Sequence, residues 1–157
     1  MRLKAFCLLA AVSLLAACSS TDKTAATSNT AGGDTSIRAG SQQDLNAQAG
    51  DRVFFAYDHS DITPEGRATL EKQAAWMKTN ASVTVTIEGH CDERGTREYN
   101  LALGDRRANA AKNYLVNNGI PASRISVISY GKERPIAMGS DEAAWAQNRR
   151  AVTVVPQ

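Results

Sequence analysis

The stretch VTIEGHCDERGTREYNLALGDRRA, residues 85–108, decides the fold. With Val83 just before it, Val85 and Ile87 alternate with polar neighbours, the period-two pattern of a half-buried strand that ends at Gly89. Asp92-Glu93-Arg94-Gly95-Thr96 is a polar turn. From about Glu98 the period becomes helical and holds to Asn117, with Leu101, Gly104, Ala108, Ala111 and Leu115 on one stripe. Small residues in that stripe predict a helix lying close on a sheet. Asn118-Gly119 ends the helix and Pro121 prevents its restart.

Working outward, the flanking elements repeat the theme. Val53, Phe55 and Tyr57 alternate as an earlier strand, and Asp58 to Asp61 is a turn. Thr63 caps a helix with Pro64 at its first position, and Leu70, Ala74 and Met77 form its apolar face up to a stop at Asn80. Ile125, Val127 and Tyr130 mark a third strand. A short helix is expected over 141–147 with Ser140 as cap, then a last strand over 151–155 with Val152 and Val154 on one face. The order β-α-β-α-β-(α)-β predicts an α+β fold, a two-layer sandwich with a mixed sheet packed against helices. The two long crossovers suit parallel neighbours, and the last strand suits an antiparallel one.

Before this domain, set at 51–157, the chain has a different character. Arg2 and Lys4 precede the uncharged, mostly apolar run Ala5 to Ala17. Those thirteen residues would reach about 20 Å as a helix, short of the ~30 Å hydrocarbon core. Residues 1–17 therefore read as a signal peptide. Residues 19–50 hold five Ser, five Thr and four Gly, with Ile37 and Leu45 as the only large apolar side chains. Together with Cys18 they read as a flexible tether spanning about 30 Å as a coil. Lys+Arg number 18 and Asp+Glu 16. Without Arg2 and Lys4 the two counts are equal at 16, which argues against a nucleic-acid binder. Cys7, Cys18 and Cys91 make neither a disulfide framework nor a zinc spacing.

The run 85–108, followed by Ser129-Tyr130-Gly131-Lys132-Glu133-Arg134-Pro135 and Gln147-Asn148-Arg149-Arg150-Ala151-Val152, closely resembles the OmpA-like peptidoglycan-binding domain. The resemblance implies binding of a peptidoglycan stem peptide at the free end of meso-diaminopimelate. That end is a zwitterion, with an ammonium and a carboxylate on one carbon. The family's site residues fall on Asp58, Asp92, Asn100, Leu103 and Arg107. The chemistry suits them, since an Asp accepts from an ammonium and a guanidinium grips a carboxylate by parallel hydrogen bonds. Leu15-Ala16-Ala17-Cys18 resembles a bacterial lipobox, which implies lipid on Cys18. Ser19 in place of Asp points to the outer membrane under the sorting rule of enteric bacteria. The resemblance further implies TolB and TolA as protein partners; no cofactor, metal or nucleic acid is expected.

The residues alone leave plainer roles open. Asp92 and Arg107 could be an ion pair tying a loop to a helix. Asp58 could cap a turn and Asn100 could brace a loop. Arg106 is expected at the surface or against the sheet, and Arg149 and Arg150 in structural salt bridges. Cys91 beside His90 raises a cell-wall peptide hydrolase as the alternative function. Adjacent residues in extended chain point to opposite faces, however, so the pair is poorly placed for catalysis. The expectation is a binding protein and not an enzyme.

Overall fold

The computed structural model describes residues 37–156. The leader, Cys18 and residues 19–36 lie outside the described residues. The elements are α1 (Gln42–Gln48), β1 (Arg52–Phe54), α2 (Pro64–Thr79), β2 (Val85–His90), α3 (Arg97–Asn117), β3 (Ile125–Gly131), α4 (Glu142–Asn148) and β4 (Arg150–Val154), with a 3-10 turn at Ala122–Arg124. None of the described helices is long and apolar enough to cross a membrane. The four strands form one mixed sheet in the order β1-β4-β2-β3. The expected α+β architecture is the one observed.

Helix starts follow their caps. Thr63 Oγ1 accepts from Gly66 N at 3.1 Å, with Pro64 next in line. Thr96 Oγ1 accepts from Tyr99 N at 3.2 Å and opens α3. The core joins the sheet residues Val53, Phe55, Val85, Ile87, Ile125 and Ala151 to Leu70, Ala74 and Met77 of α2 and Ala108, Ala111 and Leu115 of α3. The small residues of α3 work as expected. A Cβ on Gly89 would run into the Gly104 carbonyl, so β2 and α3 touch backbone to backbone.

Five details differ from the sequence-based expectation. First, β2 and β3 are parallel neighbours, but β1 and β2 are separated by β4, which pairs antiparallel with both. The first crossover thus skips a position, leaving a slot that the last strand fills. Second, the early strand stops at Phe54. Phe55 still bonds to Arg149 O through its N–H at 3.0 Å, but the chain then turns away and Tyr57 is exposed. Third, on α3 Leu101 is only half-buried, while Asn100, Leu103 and Arg107 are inside. Fourth, Asp141 and not Ser140 caps α4, accepting from Ala144 N at 2.8 Å.

The fifth difference lies in the stretch assigned to the tether. Residues 42–48 are helical, and Leu45 is completely buried in the core beside α2. Ser41 caps this helix, and Asp44 accepts from Gly40 N at 2.8 Å and from Trp76 Nε1 at 2.9 Å. Both bonds hold the Asp44 carboxyl below its usual pKa. Gln73 Nε2 donates to Gly50 O at 2.7 Å. The folded unit therefore begins before residue 51. One leucine suffices because it docks on a surface that the rest of the domain has already built.

Candidate functional site

The residues singled out in the sequence meet at one pocket. Asp58, Asp92, Asn100, Leu103 and Arg107 all line a cavity of about 250 Å³, together with Tyr57, Cys91, Arg94, Gly95 and Tyr99. Three segments supply them: the turn after β1, the loop after β2, and the first turns of α3.

Arg107 is the pivot. Its side chain is fully buried, and its guanidinium donates to three carbonyls. Nε reaches His59 O at 2.9 Å, Nη1 reaches His90 O at 2.9 Å and Nη2 reaches Ala56 O at 3.1 Å. One side chain of α3 thus fastens the turn carrying Asp58 and the end of β2. A guanidinium has donors left after three such bonds. Phe55 lies under it, 5.2 Å from ring centroid to Cζ. Burial pulls its pKa below the usual arginine value, with the negative charges of the Asp92 and Asp58 carboxylates opposing that shift.

Asp92 is 4% exposed and does not pair with Arg107. Its partners are Arg94, with Nη2 at 2.5 Å from Oδ2, and Arg149, with Nη1 at 3.4 Å from the same oxygen. Burial opposes ionisation of Asp92, but hydrogen bonds from the side chain and backbone of Arg94 outweigh it and lower the pKa. The ion pair weighed in the sequence is therefore made with different arginines. Arg149 also binds Phe55 O at 3.1 Å and Glu142 Oε1 at 2.6 Å. Its structural salt bridges are as expected. Arg150 departs from that expectation: it is buried but bonds to the carbonyls of Asn148 and Arg134 rather than to a carboxylate.

Asp58 sits at φ 59°, a left-handed conformation unusual for a residue with a side chain. Its carboxylate accepts the hydroxyl hydrogen of Tyr99, and this bond raises the Tyr99 pKa. Asp58 is exposed and has acceptor sites to spare. Asn100 is 2% exposed, and its Nδ2 donates to Arg94 O at 2.7 Å and Thr96 O at 3.0 Å. It braces the loop that shapes the pocket. Leu103 supplies a buried apolar wall.

His90 and Cys91 diverge as alternation requires. Cys91 Sγ donates to Asn100 O at 3.3 Å, and burial raises its pKa. The His90 ring packs against Tyr130 with centroids 5.6 Å apart, and neither of its nitrogens is hydrogen-bonded. Among the described residues no cluster of His, Cys, Asp or Glu could hold a metal.

Sequence reasoning missed Arg94, Tyr57 and Tyr99. Arg94 stacks between the rings of Tyr57 and Trp145, 3.9 and 4.0 Å from their centroids. A guanidinium two residues after a carboxylate in a turn is a local signal that could have flagged it. The alternation of Val53, Phe55 and Tyr57 reads as strand, and Tyr99 falls within a helix start, so neither pattern marks a pocket residue.

Residues 54–149 match the OmpA family; the chain belongs to that family. Within it, the chain is similar to proteins named peptidoglycan-associated lipoprotein. It is 52% identical over 124 residues to that of Agrobacterium fabrum (strain C58), covering 79% of this chain and 70% of that one. Against the Rhizobium meliloti (strain 1021) protein it is 55% identical over 116 residues, covering 74% and 66%. The crystal structure of the peptidoglycan-associated lipoprotein from Burkholderia pseudomallei superposes with a TM-score of 0.66 at 42% identity, covering 68% of this chain and 90% of that one.

Proposed function

We propose that this chain is a non-catalytic outer-membrane lipoprotein whose pocket binds the diaminopimelate end of a peptidoglycan stem peptide. The observation that carries the reading is convergence. Five residues chosen from motifs spread over residues 58–107 line a single cavity. At about 250 Å³ it falls below the volumes that hold drug-sized ligands, so it takes one amino-acid end rather than a whole stem. In this reading the remaining donors of Arg107 meet the carboxylate, and Asp92, flanked by Asp58, meets the ammonium.

Lipid on Cys18 would hold the chain in the outer membrane, with the domain in the periplasm on the wall. TolB and TolA would be its protein partners in the Tol-Pal system, where the tether supports envelope integrity and membrane invagination at division. A binding role is favoured over hydrolysis because the buried, poorly ionised thiol of Cys91 has a carbonyl and not an imidazole as its neighbour.

Incubation of the domain with purified sacculi tests the reading. The expected result is co-sedimentation with no muropeptides released. Released muropeptides would establish a hydrolase, and failure to co-sediment would end the wall-binding reading.

A further inference from the structure

The acceptors of Asp92 are already occupied. Oδ1 accepts from Arg94 N at 3.1 Å and Arg94 Nε at 3.2 Å. Oδ2 accepts from Arg94 Nη2 at 2.5 Å and Arg149 Nη1 at 3.4 Å. Both lone pairs of each oxygen are thereby engaged. A ligand ammonium can reach Asp92 only if one guanidinium leaves.

Arg149 is poorly placed to do so. Its side chain is 7% exposed, and it is held by Phe55 O and Glu142 Oε1. Arg94 differs on each count. Its side chain is 28% exposed and belongs to the loop between β2 and α3. Its remaining contacts are the faces of Tyr57 and Trp145, which tolerate sliding because a ring face sets no fixed hydrogen-bond direction. A second carboxylate waits beside it, with Glu142 Oε2 4.0 Å from Nη2.

We propose that Arg94 is an internal competitor: it holds the cation position on Asp92 in the empty pocket, and the ligand ammonium enters by displacing it towards Glu142. This rests on the stem-peptide reading above. The device has two consequences. Apparent affinity falls by the fraction of time that Arg94 vacates the position; an arginine in place about nine-tenths of the time weakens binding about tenfold. Selectivity rises, because a ligand end without a cation cannot replace the lost charge on Asp92 and leaves it partly unpaired.

The test compares two synthetic stem tripeptides ending in meso-diaminopimelate, one with a free terminal ammonium and one N-acetylated at that centre. Calorimetry on wild type and Arg94→Gln should show the free-ammonium peptide binding about threefold or more tighter to the variant, with no such gain for the acetylated peptide. Equal or weaker binding of the free peptide by the folded variant overturns the proposal, since Arg94 would then be a bystander or a contact. The unmodified protein supplies a second readout. The Arg94 Nε–H resonance, identified by its loss in Arg94→Lys, should shift and exchange faster with solvent once the free peptide saturates the site. A resonance unchanged at saturation also overturns it. If wild type binds neither peptide, the stem-peptide reading itself falls and takes the competitor with it. If wild type binds and the variant gains nothing, only the competitor falls.

Discussion

The His90 imidazole is 2% exposed, makes no hydrogen bond and lies near Arg150 and Arg134, with the opposing carboxylate of Glu88 3.5 Å from its Nε2. Desolvation, reinforced by those two positive charges, pulls its pKa from 6.5 to about 4. A base with a lower pKa folded than unfolded favours the fold fully above its unfolded value. That stability is lost as pH falls, here from 6.5 to about 4. At 1.36 kcal/mol per unit, the loss is at most about 3 kcal/mol. Asp92 acts in the same direction in a lower window, because its depressed pKa stabilises the fold above the usual 3.8 and fails below it. His90→Phe fills the same space without a titrating group. Thermal melts at steps between pH 6.5 and 4 should therefore show a flatter decline for this variant. Parallel declines in both proteins would mean that His90 is not the acid-sensitive group.

Among the elements, α1 is the one whose weight in the fold is least expected from its composition. Leu45 is completely buried, and Asp44 ties the helix to Trp76 of α2. Leu45→Ala should destabilise the domain by about 2–4 kcal/mol, the usual range for an aliphatic truncation in a core. A chain starting at residue 51 should melt well below one starting at residue 37. Equal melting temperatures would show α1 to be an ornament. This helix was illegible because a single buried leucine was diluted in a polar run whose average reads as coil. The β2-turn-α3 unit was legible because alternation, a polar turn and a helical stripe follow one another without ambiguity. Sheet order was not, since nothing local in β4 says that it enters between β1 and β2.

For the whole molecule, Arg107 links folding to recognition. It closes the pocket by binding three carbonyls from two segments, and it is also the group proposed to read a carboxylate. The five pocket residues were legible because each sits at a fixed place in a spaced motif. The partners of Asp92 were not, because choosing among Arg94, Arg107 and Arg149 depends on how the β2–α3 loop, helix α3 and the junction between α4 and β4 come together. Truncating Arg107 would strip the Ala56, His59 and His90 carbonyls of a donor and disturb the pocket, so the decisive change belongs on the ligand. The most direct measurement is calorimetric binding of the wild-type domain to a stem tripeptide ending in meso-diaminopimelate, with the terminal carboxylate free or converted to its amide. Loss of a desolvated, charge-assisted contact should weaken binding by at least about tenfold. Equal affinity for the two peptides would contradict the assignment of the pocket to a zwitterionic amino-acid end.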